Sequence, residues 1–227
     1  MTITLENIWV LLSIPVIGKT VVVPLKDRKA VTTIVTSLLV VSMIDVDEEI
    51  RTRFGITVCL TWLKDLFSVL KEGDEEPNGK GALDVYPSPE FLVRAYLLCL
   101  LGTTLFSNES STRVSLSLLQ LLEQVDKIGS YAWEATTLAF MYYQLGIASR
   151  TKVTQSYGYM TLLEVIRNTS LKGAPPSHAI AFYHGPMKYV DIVKTYNPIR
   201  VLRQMKYVQC ITREPYQLIN YERSSLA

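Results

Sequence analysis

The sequence has little charge and few of the residues that most often carry out chemistry. Of its 227 residues, 19% are charged and two are histidine, against roughly 25% charge in ordinary soluble chains. With 48% hydrophobic residues beside that low charge, extended disorder is excluded for most of the length. A long apolar run is also missing. Mean hydropathy is +0.20, yet the longest uncharged stretches, 30–44 and 135–149, fall short of the roughly 20 apolar residues that a membrane-spanning helix needs. Both carry Thr, Ser or Gln, which suits buried helices, so no membrane is expected. Residues 1–18 have no cation at their start and contain Glu6, which argues against a secretory signal.

The catalytic and metal-binding signatures are equally sparse. Cys59, Cys99 and Cys210 are odd in number, far apart and set in apolar runs, so free buried thiols in a reducing compartment are expected rather than a disulfide framework. There is no C-x-x-C and no histidine pair at metal spacing, so no metal site is expected. No G-x-S-x-G elbow, P-loop or G-x-G-x-x-G is present, which removes the usual cradles for a nucleophile, a phosphate or a dinucleotide. His178 and His184 read as turn residues in or beside the Pro-rich loop 171–179. The runs Asp47-Glu48-Glu49 and Asp74-Glu75-Glu76 are adjacent carboxylates on solvated segments, where they neither desolvate nor converge on a substrate. No cofactor and no enzymatic activity are expected from these residues.

What is present is a pattern of helices. Thr4 is placed to cap a helix through Leu5, Ile8, Trp9 and Leu12, with Glu6 suited to the helix dipole. Pro15 and Gly18 end it, and the β-branched run 20–23 reads as a short strand. The stretch 30–44 fits a helix by its length, and 56–70 an amphipathic helix with Leu60, Leu63, Phe67 and Leu70 on one face. Residues 72–81, EGDEEPNGKG, have the composition of a surface loop. Ser88-Pro89-Glu90 is a strong helix start, opening a helix over 89–106 that is apolar nearly all round and therefore expected at the centre of the core. A helix over 115–128 follows, with Leu118, Leu121, Leu122 and Val125 on one face and a stop at Gly129. A third, capped by Ser130, aligns Trp133, Thr136, Phe140, Tyr143 and Ile147. Short helices over 159–167 and 198–205 and an edge strand over 207–211 complete the chain. The expected fold is mainly α: a single compact helical domain over 1–227 with a central antiparallel helical bundle and small β elements near the termini.

Two groups of residues stand out. Arg94 and Glu134 are each nearly alone as charges on apolar helices, and a buried guanidinium needs partners for its donors. A partly buried Arg94/Glu134 pair fixing helix register is the structural reading of both. The second group is basic. Residues 1–149 hold 12 Lys+Arg against 17 Asp+Glu and residues 150–227 hold 11 against 4, so the two parts carry −5 and +7. Arg200, Arg203 and Lys206 recur every three residues, preceded by Lys188 and Lys194 and interleaved with Tyr196. Cations among aromatics can grip phosphates and stack bases. The same face also suits an acidic protein, or an internal contact with the acidic part of the chain.

Several stretches together resemble the plant mobile domain family. MTITLENIWVLLSIPVIGKTV is similar to its opening, GITVCLTWLKDLF to its second block, the segment from RAYLLCLLGTTLF to FMYYQLGIASR to its central core, and VLRQM with REPY to its end. The chain departs from the family pattern at four places. Asn7 stands where the family has an acid, and Ser13 where it has glycine. LLEVIRNTSL occupies the place of a Trp-rich stretch, and Arg213 that of a Trp ahead of Pro215 and Tyr216. The resemblance implies a non-enzymatic nuclear interaction module associated with transposable elements, gene silencing, gene regulation and genome stability, with a phosphatase-like protein as a possible partner. The family also carries the label aminotransferase-like. A pyridoxal-phosphate enzyme needs a Schiff-base lysine, a phosphate cup and an acid for the ring nitrogen, and none of these is recognisable in the sequence.

Overall fold

The computed structural model of the protein describes residues 3–14, 17–23, 27–51, 56–71, 89–107, 112–150, 157–168, 183–190 and 192–197. The loops 72–81 and 171–179, Ser88, and the elements expected over 198–205 and 207–211 lie outside these residues. Within them the chain is mostly helical, with two small antiparallel sheets.

The first helix forms as its cap requires. Thr4 accepts from the Asn7 amide through its hydroxyl at 3.2 Å, and the Asn7 side chain takes the Thr4 amide at 3.0 Å. This reciprocal box starts α1 (Leu5–Leu12). An amide side chain at position 7 thus serves the box that a Glu or Gln usually completes. The helix closes at Ser13, which is left-handed with φ 52° and bonds back to the Trp9 carbonyl at 2.9 Å. Glycine would adopt that conformation without penalty.

Beyond Gly18 the expected strand over 20–23 is not paired as a strand. The backbone there is extended and alternates correctly, with Val21 and Val23 buried and Val22 half exposed, but its ladder is one parallel bridge from Lys19 to Tyr131. The Lys19 amide reaches the Ser130 carbonyl at 2.7 Å and the Ala132 amide reaches the Lys19 carbonyl at 3.0 Å. A Cβ on Gly18 would collide with the Ser130 carbonyl oxygen, so only glycine permits the approach.

The larger hydrophobic cluster gathers α2 (Arg28–Leu39), α3 (Met43–Arg51), α4 (Leu60–Lys71) and α5 (Pro89–Leu100) with the short sheet of β1 (Thr57–Cys59) and β2 (Arg113–Ser115). Asp27 caps α2 by accepting from the Ala30 amide at 3.0 Å. The expected helix over 30–44 is therefore real but ends at Leu39, because Val40 turns left-handed at φ 49° and the chain restarts as α3. The expected helix over 56–70 begins as β1 and becomes α4 at Leu60. The continuation of α5 widens into a π turn over Leu101–Leu105, where a Cβ on Gly102 would stand 2.5 Å from that of Val114.

The expected α-helix over 115–128 is two 3₁₀ stretches, Leu116–Leu122 and Val125–Ser130. Leu116, Leu119 and Leu122, with Leu118 and Leu121, are all buried. That burial fits three residues per turn as well as 3.6, and a leucine run this short cannot distinguish the two periods. The helix cap assigned to Ser130 is not used. Its hydroxyl donates to the Lys127 carbonyl, and α6 (Trp133–Ala148) starts after Ala132 without a side-chain cap. Leu98, Leu118, Leu122, Trp133 and Phe140 nevertheless belong to this one cluster.

A smaller cluster surrounds α6. On it sit α1, α7 (Met160–Asn168) through α1, and the hairpin of β3 (Gly185–Tyr189) and β4 (Ile192–Tyr196). In this hairpin Met187 faces Lys194 and Lys188 faces Val193. Trp133, Glu134 and every residue from Thr136 to Met141 are buried. The helix buried on every side, over its first half, is thus α6, not α5.

Candidate interaction surfaces

On α5, whose interior face is held by Phe91, Ala95 and Leu98, the opposite face leaves apolar side chains in solvent. Leu92 and Val93 are each 39% exposed, Tyr96 64% and Leu100 42%. They fall at i, i+1, i+4 and i+8, one stripe of a helix. The sequence places this helix at the core because it is apolar throughout; periodicity alone cannot show that one apolar face is left over.

Arg94 lies between these faces. Its Nη2 meets Glu90 Oε2 at 2.7 Å and the Glu123 carbonyl at 3.0 Å, while Nε donates to the Leu122 carbonyl at 3.2 Å. These carbonyls end the first 3₁₀ stretch, where the backbone runs out of intrahelical donors, so Arg94 acts as a side-chain cap from a neighbouring helix. The expected Arg94/Glu134 pair is therefore not formed. Arg94 is satisfied one turn away on its own helix and by backbone. Glu134 is fully buried, with neither carboxyl oxygen in hydrogen-bond geometry with a donor. The sequence identifies both residues as exceptional but gives no means to see that α5 and α6 face different neighbours.

Burial pushes the Glu134 carboxyl up to about 8, eased in part by the Trp9 backbone amide. Tyr196, also buried, is raised to about 12, first by burial and then by the charges of Glu6 and Glu134, against hydrogen bonding from the Leu5 backbone. Tyr142 is raised by burial, and its hydroxyl donates to the Ile3 carbonyl at 2.6 Å.

The basic group is dispersed where it is described. Lys188 and Lys194 occupy opposite faces of the hairpin, since Lys194 pairs across with Met187 and Lys188 with Val193. Lys194 turns inward, its Nζ 5.5 Å from the centre of the Tyr143 ring. Tyr196 is 1% exposed and stacked on Tyr183, so its ring contributes to the core and not to a base-stacking surface. Arg200, Arg203 and Lys206 lie outside the described residues. His184, exposed, meets the Asn197 side chain at 2.9 Å.

The third titratable feature sits at the start of α4. Cys59 Sγ is 2.9 Å from the Thr61 hydroxyl, and that contact lowers the thiol below its ordinary value. Cys59 and Cys99 are free and half-buried rather than fully buried as expected. Glu49 accepts the Cys59 amide at 2.8 Å and stands 3.5 Å from Arg113 Nη2. Arg113 in turn donates to the Thr57 hydroxyl and carbonyl at 3.0 and 2.7 Å. This is a clamp joining α3 to the β1–β2 sheet. Among the described residues, no three His, Cys, Asp or Glu side chains gather to hold a metal ion, and no helix is long and apolar enough to cross a membrane.

A mainly helical fold with two small antiparallel sheets and an apolar helix face left open is the class that these observations define. The plant mobile domain family matches residues 1–188, and the chain belongs to that family. Its relatives include the Arabidopsis thaliana proteins MAIN-LIKE 2, 35% identical over 72% of this chain and 22% of its own length, and MAINTENANCE OF MERISTEMS, 33% identical over 72% of this chain and 31% of its own. A serine/threonine-protein phosphatase 7 long form homolog from the same plant is 30% identical over 49% of this chain and 8% of its own length. The first two names state no enzymatic activity. The chain spans about a fifth to a third of the length of the MAIN-type relatives. No solved structure matches it.

Proposed function

We propose that the chain is a non-enzymatic nuclear interaction module, acting in transposon silencing, gene regulation and genome stability as the family resemblance implies, with a protein as its partner. The observation that carries this reading is recurrence. Matches covering 49–72% of this chain make up between 8% and 31% of longer relatives whose names differ, from MAINTENANCE OF MERISTEMS to a phosphatase homolog. A unit that recurs in differently named chains behaves as a portable part whose function must lie on its own surface. The exposed α5 stripe supports a protein partner, because Tyr96 among aliphatic neighbours has the composition of an interface centre. A phosphatase-like protein is the first partner class to try.

Direct nucleic-acid binding through Lys188, Arg200, Arg203 and Lys206 is the second reading, favoured by the +7 charge of residues 150–227. One experiment separates the two. Pull-down from plant nuclear extract is compared between the wild type, Tyr96→Ala with Leu100→Ala, and Arg200→Ala with Arg203→Ala. Loss of captured protein with the α5 variant alone is the expected result. Loss with the basic variant alone, with nucleic-acid binding that falls steeply with salt, transfers the function to nucleic acid. A lysine adduct formed with pyridoxal phosphate and fixed by borohydride would restore the aminotransferase-like reading and overturn the non-enzymatic one.

A further inference from the structure

Where α1 and the β3–β4 hairpin close on α6, the protein buries more polar groups than it satisfies. Both Glu134 carboxyl oxygens and the Tyr196 hydroxyl are buried with no partner in full hydrogen-bond geometry, the phenol being eased only in part by the nearby Leu5 backbone and Thr4 hydroxyl. Glu6 arrives from α1 and is itself 9% exposed. Its charge and that of Glu134 both act on the Tyr196 phenol, so two carboxyls and a phenol share one dry space.

Among the described residues, the neighbouring elements bring no compensating cation. From α6, Tyr142 borders the space with its hydroxyl committed to the Ile3 carbonyl. From β3 the titratable group on this face is Tyr189, packed on Phe106 and Phe140 at 4.6 and 4.7 Å. From β4, Lys194 is drawn over Tyr143, nine residues along α6 from Glu134, or about 13 Å of helix rise. Lys19, bonded through its backbone beside the start of α6, is exposed. From α1, the Trp9 backbone amide favours a charge on Glu134. Glu134 also lies in the first turn of α6, where the helix dipole favours an anion, but its oxygens do not reach the free amides there.

We propose that Glu134 is the latch of a protonation-gated seam: as a neutral acid it lets α1 and the hairpin close over α6, and once ionised it opens that seam while the cluster around Leu98, Leu118 and Leu122 stays packed. A lone carboxylate in a dry site is strongly unfavourable. Water entry between α1 and α6 is the nearest relief, because α1 has only eight residues and already exposes Trp9 and Val10. The sign follows from the direction of the shift. With the closed-state carboxyl at about 8 and its ordinary value at 4.5, closing takes up a proton between those limits, so the closed seam is favoured at low pH and loses ground as pH rises.

Hydrogen exchange of backbone amides from pH 5 to 9, corrected for the intrinsic rate, tests this. Protection of α1 and of the hairpin should fall about tenfold per pH unit up to about 8 and then level off, while α2 and α5 stay flat. Glu134→Gln should remove the slope. PH-independent protection of α1, or a slope that survives in the glutamine variant, overturns the proposal. Should that variant fail to fold, the carbon-13 carboxyl resonance of Glu134 in the wild type decides instead. Titration well above the ordinary carboxylate range supports the latch, and titration within that range removes it.

Discussion

Arg94 and Glu134 are each a nearly solitary charge on an apolar helix, yet the two regions around them treat charge in opposite ways. Around Arg94 the fold supplies three acceptors within 3.2 Å and keeps the guanidinium at the rim of the larger cluster. Around Glu134 no donor comes into full hydrogen-bond geometry, only the Trp9 backbone easing the carboxyl, and the residue is wholly buried. The difference lies in what each helix packs against. α5 lies beside 3₁₀ stretches whose ends expose carbonyls, whereas α6 lies beneath a helix and a hairpin whose backbone groups are already bonded to each other. A lone charge in a sequence therefore marks a position of consequence, but its neighbour decides whether it stabilises the fold or strains it.

The contrast can be attacked directly. Trp133, 5% exposed and donating from its indole to the Ile128 carbonyl at 2.8 Å, belongs to the well-satisfied cluster. Trp133→Ala should cost about 3–5 kcal/mol in chemical denaturation, and an unchanged midpoint would show that this cluster is not the core. Glu134→Gln should do the reverse at neutral pH. From about 8 against 4.5, the penalty that it removes amounts to up to about 3 kcal/mol at pH 7, vanishing below pH 4.5. A variant less stable than the wild type at pH 7 would place a hidden partner on the carboxylate. Arg94→Ala should cost about 1–3 kcal/mol by leaving the Leu122 and Glu123 carbonyls without their donor, with little dependence on pH. The smallest effect concerns neither charge. Ser13→Gly should add about 1 kcal/mol of stability by relieving the left-handed C-cap of α1, read as a rise in melting temperature.

The sequence made the core legible and the secondary structure less so. Leu98, Leu118, Leu122, Trp133 and Phe140 could be placed inside from composition and spacing, because burial follows hydrophobicity whatever the local period. The Thr4 cap was legible because its chemistry is local. The 3₁₀ geometry of 116–122 was not, since five buried leucines within seven residues fit either helix. The break at Val40 was hidden too, because a β-branched residue rarely turns left-handed. The Arg94/Glu134 pair failed for a related reason: both charges were correctly singled out, but pairing them assumed that the first and third of three expected helices pack side by side in a bundle. Tyr196 was read as a surface aromatic among cations, when its strand position beside Gly185 turns it inward. The open face of α5 could not be read at all, because an apolar helix looks the same whether the protein or a partner covers it.

The way α6 is enclosed has a consequence for biosynthesis. Its covering arrives from both directions along the chain: α1 has left the ribosome long before it, but the hairpin ends at Tyr196, 48 residues after Ala148. At translation rates of about 5–20 residues per second, Leu138, Ala139 and Met141 remain wetted on one side for roughly 2–10 s. During that interval the nascent polypeptide presents a greasy helix that only its own later residues can shelter, a natural point for a chaperone to engage.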